Sequence, residues 1–367
     1  MGEKSDWIKE RIKEIQGLQQ YSVSGGSAEL LKKIDSTNVV KLDANENFFI
    51  PRPLLSQVFE QISREVDLRL YPQREEEMLL EELEDYINFP SSQIVLGNGS
   101  DQIIELTVKA FLKASEETIS VKPTFSMYRI YVDNQRAKYN EVALNDDFSL
   151  NVNALLSRTN LNAKICFLCS PNNPTANQFK TDDVRKIIEE FRGIVVLDEA
   201  YVEFAPSSLV KLVDMYDNLI VLRTFSKVFG LAGLRIGYAI SNPTLSKVLL
   251  KIQPPYNINS VSLRMALGML HERKIVVDAI QKMKEERERL IGELNGVKGI
   301  KAFNSAANFV LLKIDSSSDA IYEKLVERKI LIKNIGTILG RKGYMRVTVG
   351  LPEMSKKLVD ALKEILQ

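Results

Sequence analysis

Histidine and cysteine are almost absent from this sequence, and their scarcity excludes several kinds of active site. The 367 residues include one histidine, His271, and two cysteines, Cys166 and Cys169. A single histidine argues against Ser-His-Asp, Cys-His and multi-histidine metal sites. The cysteines lie in KICFLCSPNN, where strand alternation points them in opposite directions and no further pair completes a metal site, so we expect buried thiols and no metal. Acid–base chemistry must therefore come from lysine, carboxylate, tyrosine or a cofactor.

Excess charge and long apolar runs are also missing. Lysine and arginine number 49 against 48 aspartate and glutamate residues, so the charge balance does not indicate a nucleic acid as partner. No apolar run approaches the roughly 18 residues that a membrane helix needs. The opening residues, MGEKSDWIKE, contain no apolar signal region. We expect a soluble cytoplasmic protein that acts on small molecules and binds neither nucleic acid nor membrane.

The order of polar and apolar segments indicates two parts of different texture. At 367 residues the chain exceeds one ordinary domain. After an amphipathic helix in WIKERIKEIQGL, helices alternate with the apolar runs QIVLGNG, TISVKPT, KICFLCSPNNP, GIVVLDEAY and LIVLRTFSK, which predicts an α/β fold with a mostly parallel sheet flanked by helices. Beyond about residue 245, a long charged helix and the runs NFVLLKI and YMRVTVG predict a smaller α+β domain. We expect a large domain at 50–245 and a small one at 246–367, which the N-terminal segment 1–49 joins.

Polar residues follow these strands, at the edge where a doubly wound sheet binds its ligands. The candidates at this edge are Asn98 to Asp101, Phe125, Asn173, Asp198, Tyr201, Ser226 and Lys227. The loop GNGSDQ lacks the third glycine of a dinucleotide-binding loop, and the G-K-[ST] of a P-loop does not occur. Nucleotide binding is therefore disfavoured.

Lys227 most needs an explanation, because a lysine after the apolar run of LIVLRTFSK is costly to bury unless it is paired, deprotonated or covalently occupied. A phosphate-bearing aldehyde, pyridoxal 5′-phosphate, requires a lysine to form an imine and a carboxylate beside its ring nitrogen. Asp198 offers that carboxylate. Asn173 and Tyr201 are candidates to hold the cofactor's phenolic oxygen.

Groups that suit the cofactor's phosphate are present as well. A helix that begins near GSDQIIEL offers free backbone N–H groups and the positive end of its dipole. Ser226 would add a hydroxyl and Arg235 a forked cation. Taken singly, each residue is typical of a solvated strand end or a turn. Pyridoxal phosphate accounts for all of them together.

The segments SPNNPT, DEAYVEF and TFSKVFGLAGLRIGY resemble motifs of the fold-type I, class I/II aminotransferases, and most closely those of the histidinol-phosphate aminotransferases. The other similar segments are YSVSGGS, KLDANEN, YPQ, GNGSDQIIEL, PTFSMY, QPPYNINSVS, NFVLLKI and MRVTVG. The resemblance covers nearly the whole chain. It implies a fold-type I enzyme with a large cofactor-binding domain and a small domain.

The resemblance also implies roles on the cofactor. Lys227 corresponds to the lysine that forms the imine and later moves a proton between substrate and cofactor, so Lys227, Asp198 and Tyr201 are the expected catalytic residues. The further cofactor contacts implied are Phe125 as the stacking ring and Ser100, Asp101 and Thr224 near the phosphate. Tyr71 of YPQ corresponds to a tyrosine that reaches the cofactor phosphate of the neighbouring subunit. This implies a homodimer with shared active sites.

Substrate binding is expected from the small domain and the N-terminal segment. Arg346 in YMRVTVG corresponds to the arginine that holds the substrate's anionic group, assisted by Tyr21, by a second cation and by Asn47 of KLDANEN. The second cation here is Lys333, where arginine is usual, and a lysine binds phosphate as a point charge without the bidentate fork. Ala176 stands where glycine is usual, a loop change that leaves the chemistry intact.

The expected reaction is reversible transamination between L-histidinol phosphate and 2-oxoglutarate, giving imidazole-acetol phosphate and L-glutamate. An aromatic or broad-specificity aminotransferase would use the same cofactor residues with Arg346 on a carboxylate. A threonine-phosphate decarboxylase would share the fold and release CO2. A non-catalytic regulatory module is the remaining alternative, although no basic helix-turn-helix extension accompanies the motifs.

Overall fold

Two sheets flanked by helices organise the computed structural model, which describes residues 2–18 and 38–366. The helices of these residues are α1 (Gly2–Gln16), α2 (Arg52–Glu65), α3 (Glu75–Ile87), α4 (Gly99–Phe111), α5 (Met127–Asn134), α6 (Val152–Ser157), α7 (Thr181–Glu190), α8 (Pro243–Ile252), α9 (Ser260–His271), α10 (Arg273–Asn295), α11 (Ser318–Glu327) and α12 (Pro352–Leu366). The strands are β1 (Val40–Leu42), β2 (Ile94–Gly97), β3 (Glu117–Lys122), β4 (Lys138–Ala143), β5 (Ala163–Cys169), β6 (Ile194–Asp198), β7 (Leu219–Thr224), β8 (Gly237–Ser241), β9 (Ile300–Ala302), β10 (Phe309–Ile314), β11 (Ile330–Ile338) and β12 (Arg341–Thr348).

The larger sheet has the strand order β2-β8-β7-β6-β5-β3-β4. Only β8 runs antiparallel to its neighbours β2 and β7. The central strands of the larger sheet are apolar on both faces because helices cover both sides of it. Every residue of β7 is buried. The carboxyl ends of the parallel strands and the start of β8 therefore meet at one edge, which confirms the predicted α/β sheet.

The smaller sheet has the order β1-β11-β12-β10-β9, with β1 parallel to β11 and the other pairs antiparallel. Its first strand comes from the N-terminal segment, while α8 packs against α4, β2 and β8 of the large sheet. Lys333 of β11 and Arg346 of β12 are direct register partners. The domain limits 1–49, 50–245 and 246–367 stay a prediction.

Helix α1 forms at the predicted place but leaves its apolar side chains in solvent. The exposed side chains are Trp7, Ile8, Ile12 and Ile15. An ion pair between Glu14 and Arg136 joins α1 to the turn after α5, with a nitrogen–oxygen distance of 2.6 Å. Among residues 2–18 and 38–366, no helix combines the length and the apolar character needed to cross a bilayer.

Candidate active site

A cavity of about 880 Å³ is lined by residues of both sheets and of the N-terminal segment. Of the residues predicted from the sequence, its walls contain Ser100, Asp101, Phe125, Asn173, Asp198, Tyr201, Thr224, Ser226, Lys227, Arg235, Lys333 and Arg346. The cavity thus unites the strand-end residues with the two cations of the small sheet. The individual roles of these residues stay predictions.

Lys227 lies half-buried in the turn after β7, and its Nζ donates a hydrogen bond to the Ala44 carbonyl at 3.0 Å. Burial, assisted by the positive charges of Arg346 and Arg235, lowers the pKa of this amine to about 8. A larger share of the amine is therefore neutral near pH 7 than in an ordinary lysine, which is the state needed to attack an aldehyde or accept a proton.

Asp198 ends β6 and is held by two donors. The Tyr128 hydroxyl donates to Asp198 Oδ2 at 2.6 Å, and the Ala200 N–H donates to Oδ1 at 3.0 Å. Burial raises the pKa of the carboxyl to about 6, although both hydrogen bonds oppose this. A buried carboxylate of this kind is stabilised by a cationic partner, and a protonated pyridine nitrogen fits that requirement.

Tyr128 is in turn fixed by aromatic neighbours. It stacks on Phe167 with a centroid separation of 4.8 Å and meets the edge of Phe125 at 5.5 Å. Burial raises the pKa of the Tyr128 hydroxyl well above its usual range, so the hydroxyl remains a donor to Asp198. Phe125 itself lines the cavity, as the prediction of a stacking ring requires.

Tyr201 and Asn173 occupy the wall between the cofactor residues and the small sheet. The Asn45 amide donates to the Tyr201 hydroxyl at 3.0 Å, and Tyr201 is 6% exposed. The side-chain oxygen Oδ1 of Asn173 accepts from an Arg346 Nη at 2.7 Å. Asn173 therefore links the predicted cofactor end of the cavity to the predicted substrate end.

The predicted phosphate groups converge at the start of α4. The side chain of Asn98, which precedes the helix, forms no capping bond to the first-turn N–H groups. Arg235 donates to Asp101 at 2.8 Å and to the Ser226 hydroxyl at 3.4 Å. Gly99 has a φ of +76°, and a Cβ there would lie 2.7 Å from an Arg235 nitrogen, so only glycine permits this approach. The start of α4, the Ser226 hydroxyl and the Arg235 guanidinium together suit a phosphate.

The predicted substrate end contains two neighbouring cations. Arg346 donates to the Asp43 carbonyl at 2.6 Å, besides its bond to Asn173. Burial and the positive charge of Arg346 lower the pKa of Lys333, while Asp43 acts in the opposite sense. Two like charges on adjacent strands are stabilised when an anion lies between them.

Two predicted residues lie away from the cavity, and a third falls outside the described residues. Asn47 is absent from the cavity lining, and its amide binds the Val228 carbonyl at 2.9 Å. Tyr71 is 71% exposed and stacks on Tyr256 at 4.6 Å, beside a separate cavity of about 450 Å³. Tyr21 lies outside the described residues.

Sequence reasoning missed Tyr128, Asn45 and Asp43. Tyr128 stands three residues after Phe125 in PTFSMY, so helical spacing was the available signal for it. Asp43 and Asn45 lie within KLDANEN, from which only Asn47 was selected. Within residues 2–18 and 38–366, no group of three or more histidine, cysteine, aspartate or glutamate side chains could hold a metal ion.

Comparisons with known proteins identify the family of this chain. A family model described as Aminotransferase class I and II matches residues 37–362. A histidinol-phosphate aminotransferase of Caldanaerobacter subterraneus subsp. tengcongensis is 40% identical over 357 residues, which are 96% of this chain and 97% of the relative.

Solved structures share the fold. The histidinol-phosphate aminotransferase from Sinorhizobium meliloti, in complex with pyridoxal-5′-phosphate, has a TM-score of 0.87 at 22% identity over 96% of both chains. The histidinol-phosphate aminotransferase from Clostridium acetobutylicum has a TM-score of 0.79 at 26% identity over 88% of this chain and 98% of its own. The predicted fold class is confirmed by these likenesses.

Proposed function

This chain belongs to the class I and II aminotransferases, and from that membership we propose that it transfers an amino group between L-histidinol phosphate and 2-oxoglutarate with pyridoxal 5′-phosphate as its cofactor. The products are imidazole-acetol phosphate and L-glutamate, in a step of histidine biosynthesis. The observation that carries the proposal is one cavity that holds Lys227, Asp198 and the cation pair Lys333 and Arg346.

The residues of the cavity fit the cofactor. When bound, pyridoxal phosphate supplies an aldehyde that captures amines and a ring that accepts electron density from the substrate α-carbon. Asp198 would hold the ring nitrogen in its protonated form, since burial disfavours its own ionised state without a cation nearby. Tyr201 and Asn173 would hold the phenolic oxygen, and Phe125 would cover a ring face.

Lys227 is the proposed acid–base residue. Its Nζ would bind the cofactor aldehyde and, once the substrate amine has replaced it, take the proton from the substrate α-carbon. A pKa of about 8 suits both tasks, because the neutral amine accepts a proton and the ammonium returns it near neutral pH.

The cations of the small sheet support a phosphorylated substrate. Arg346 presents a guanidinium that already points two of its nitrogens at oxygen atoms, and Lys333 adds a point charge on the adjacent strand. A phosphate dianion would use both cations, whereas a carboxylate needs only the arginine. The same pair would also suit the smaller dicarboxylate 2-oxoglutarate.

The test is a set of absorbance titrations of the purified protein loaded with pyridoxal phosphate. L-glutamate and L-histidinol phosphate, added in separate cuvettes, should each convert the cofactor band to that of the aminated form. L-histidinol without phosphate should do so only at much higher concentration. A response to aromatic amino acids but not to histidinol phosphate would favour the broad-specificity alternative, and CO2 release from threonine phosphate would favour the decarboxylase.

We also propose that two copies of the chain share their active sites through Tyr71. The support is an exposed apolar patch around the stacked pair Tyr71 and Tyr256, in which Leu68 is 79% exposed and Leu70 is 57% exposed. Apolar groups of this size in solvent are typical of an association surface.

A hybrid of two defective variants tests the shared site. Tyr71→Ala and Lys227→Ala homodimers should each bind cofactor poorly or be inactive, whereas mixed subunits should regain one normal site per dimer. If activity after mixing equals the sum of the separate activities, Tyr71 does not act across subunits. Light scattering of the wild-type protein supplies the subunit count.

A cytoplasmic location is part of the proposal. The support is that Cys166 and Cys169 are both buried and unbridged, as expected of thiols in a reducing compartment. Fractionation of the producing cell, with activity measured in each fraction, tests it.

A further inference from the structure

The segment 43–47 contacts several of the proposed catalytic and binding residues, and one of its side chains has no role in the mechanism above. The Asp43 carbonyl accepts from Arg346, and the Ala44 carbonyl accepts from Lys227 Nζ. Asn45 lies between them. It is 1% exposed and adopts a φ of 54°, in the left-handed region that asparagine tolerates.

The backbone of Asn45 is anchored independently of its side chain. Its N–H donates to the Thr348 hydroxyl at 2.9 Å, and its carbonyl accepts from the Asn308 amide at 2.9 Å. Both partners belong to the small-sheet side of the cavity. The side-chain amide is therefore left to act on Tyr201, which lies 3.0 Å from Asn45 Nδ2.

The direction of this hydrogen bond follows from Thr348. The Thr348 hydroxyl accepts the Asn45 N–H, so its own hydrogen remains for donation, and the hydroxyl faces Asn45 Oδ1 at 3.5 Å. With Oδ1 turned to Thr348, the NH₂ group of Asn45 faces Tyr201 and donates to it. Tyr201 is thus the acceptor in this pair.

A phenol that accepts one hydrogen bond still has one hydrogen to donate. Burial raises the pKa of Tyr201 well above its usual range, so the hydroxyl keeps that hydrogen at neutral pH. No group in residues 2–18 and 38–366 accepts it, and Tyr201 lines the cavity. The charged or titratable side chains around Tyr201 are Arg346 from β12, Asp198 from β6 and Cys169 from β5.

We propose that Asn45 is a positioning residue that fixes the direction of the Tyr201 hydroxyl, so that its hydrogen is donated into the cavity, to the phenolic oxygen of the cofactor. This inference rests on the proposed function. If so, the hydrogen-bonding character of the residue 45 side chain matters as well as its shape. A donor at residue 45 leaves the Tyr201 hydroxyl free to donate to the cofactor.

Asn45→Asp reverses the hydrogen bond while preserving size and tolerance of positive φ, because a carboxylate accepts where the amide donated. Tyr201 would then donate to residue 45 and be lost to the cofactor. A donor stabilises an ionised phenolic oxygen, so the pH midpoint of the bound cofactor's absorbance change should rise by about one unit, which corresponds to a hydrogen bond of about 1.4 kcal/mol. The dissociation constant for the cofactor should rise about tenfold for the same reason.

Four further proteins separate the effect of the hydrogen bond's direction from the effects of charge and of folding. Asn45→Gly removes the donor without adding charge and also accepts the positive φ, so it should raise the midpoint by less than Asn45→Asp. Asn308→Ala removes the donor to the Asn45 carbonyl, an anchor that does not orient the side-chain amide, and should lower the melting temperature while leaving the midpoint where it is in the wild type. Asn45→Gly should cause no further rise of the midpoint in a Tyr201→Phe background.

The outcomes separate a failure of this inference from a failure of the proposed function. An upward shift with Asn45→Asp and Asn45→Gly that vanishes in the Tyr201→Phe background supports the inference. An unchanged midpoint in both single variants, or an equal shift of Asn45→Gly with and without the Tyr201 hydroxyl, would overturn the inference alone. A wild-type protein that binds no cofactor would overturn the proposed function and this inference with it.

Discussion

The two ends of the cavity differ in how their charged groups are held. At the large-sheet end, the Asp198 carboxylate receives hydrogen bonds from Tyr128 and Ala200, and its neighbours are buried aromatic rings. At the small-sheet end, Lys333 and Arg346 stand side by side with the same charge, and Arg346 lowers the pKa of Lys333. One end holds its charged group with hydrogen-bond donors, and the other brings two cations together beside Asp43, whose charge acts on Lys333 in the opposite sense to that of Arg346.

This difference indicates which end suits a ligand that stays bound and which suits a ligand that exchanges. A group that remains bound through every turnover benefits from fixed, preorganised partners. A group that enters and leaves is better served by a pair of cations whose mutual repulsion falls further while the anion is bound. The large-sheet end therefore suits the resident cofactor, and the small-sheet end suits exchanging substrates.

The largest effect should come from removal of the Lys227 amine at the large-sheet end, which we call the resident end; the small-sheet end is the exchanging end. Lys227→Ala should lower turnover by about 10³-fold or more, within the range that a positioned acid–base group supplies. Cofactor should also be lost on gel filtration, because its aldehyde has no amine to bind. Steady-state rates and the absorbance of the recovered protein measure both effects.

The matched control for Lys227 is Lys122→Ala. Lys122 is the last residue of β3 in the large sheet, but its side chain is 64% exposed and pairs with Glu141 at 3.4 Å. This variant should keep its cofactor and its rate. Retained cofactor absorbance and turnover in Lys227→Ala would contradict the assignment of the resident end.

The exchanging end should respond differently to mutation. Arg346→Gln should leave the cofactor bound but lower kcat/KM for histidinol phosphate about 10- to 150-fold, the value of a hydrogen bond to a charged group. Lys333→Gln should cost about two- to fivefold, as a partly exposed point charge does. Both losses should be smaller with unphosphorylated L-histidinol as the substrate. Equal losses for the two substrates would show that neither cation reads the phosphate.

A third effect concerns stability without cofactor. Because burial raises the pKa of Asp198 from 3.8 to about 6, the folded protein holds this proton where the unfolded chain has lost it. The free energy of unfolding contributed by this group therefore falls as pH rises through that interval. Asp198→Asn should make the cofactor-free protein more stable at pH 7, on the order of 1–3 kcal/mol, while abolishing activity.

Urea unfolding of the cofactor-free proteins at pH 4 and pH 7 measures this effect. The gain should be present at pH 7 and nearly absent at pH 4. Asp217→Asn makes the same chemical change at an exposed position and should alter stability little at either pH. A loss of stability in Asp198→Asn at pH 7 would mean that the carboxylate is already compensated in the folded protein.

The sequence predicted the resident end better than its supports. Lys227, Asp198 and Asn173 were identified because each follows an apolar strand, and parallel strands end at one edge. The short strand β8 was not identified, although it is what returns Arg235 to that edge. Its antiparallel pairing with β2 joins segments far apart in sequence, which local periodicity does not encode.

The supporting hydrogen bonds were beyond the sequence for the same reason. Asn45 and Tyr201 are 156 residues apart, and Tyr128 and Asp198 are 70 apart. No spacing rule connects such pairs, because packing of separate elements brings them together. At the small sheet, the register that places Lys333 opposite Arg346 likewise depends on how β11 and β12 pair. The motifs supplied the residues, and tertiary packing supplied their partners.

The smallest expected effect tests whether charges at the small-sheet end change the pKa of Lys227 at the large-sheet end. Besides burial, the charge of Arg346 lowers the pKa of Lys227 to about 8, while that of Glu46 acts to raise it. Only the neutral amine attacks the aldehyde, so the rate of cofactor capture by cofactor-free protein should rise with pH around that value. Arg346→Gln should move this midpoint upward and Glu46→Gln should move it downward, whereas Lys333→Gln should leave it unchanged.

Stopped-flow absorbance over a pH series measures all four proteins, and shifts of the same sign for Arg346→Gln and Glu46→Gln would exclude a charge effect. Opposite shifts would mean that an anion bound to Arg346 raises the pKa of Lys227, so the exchanging end would adjust the acid–base residue of the resident end whenever substrate arrives.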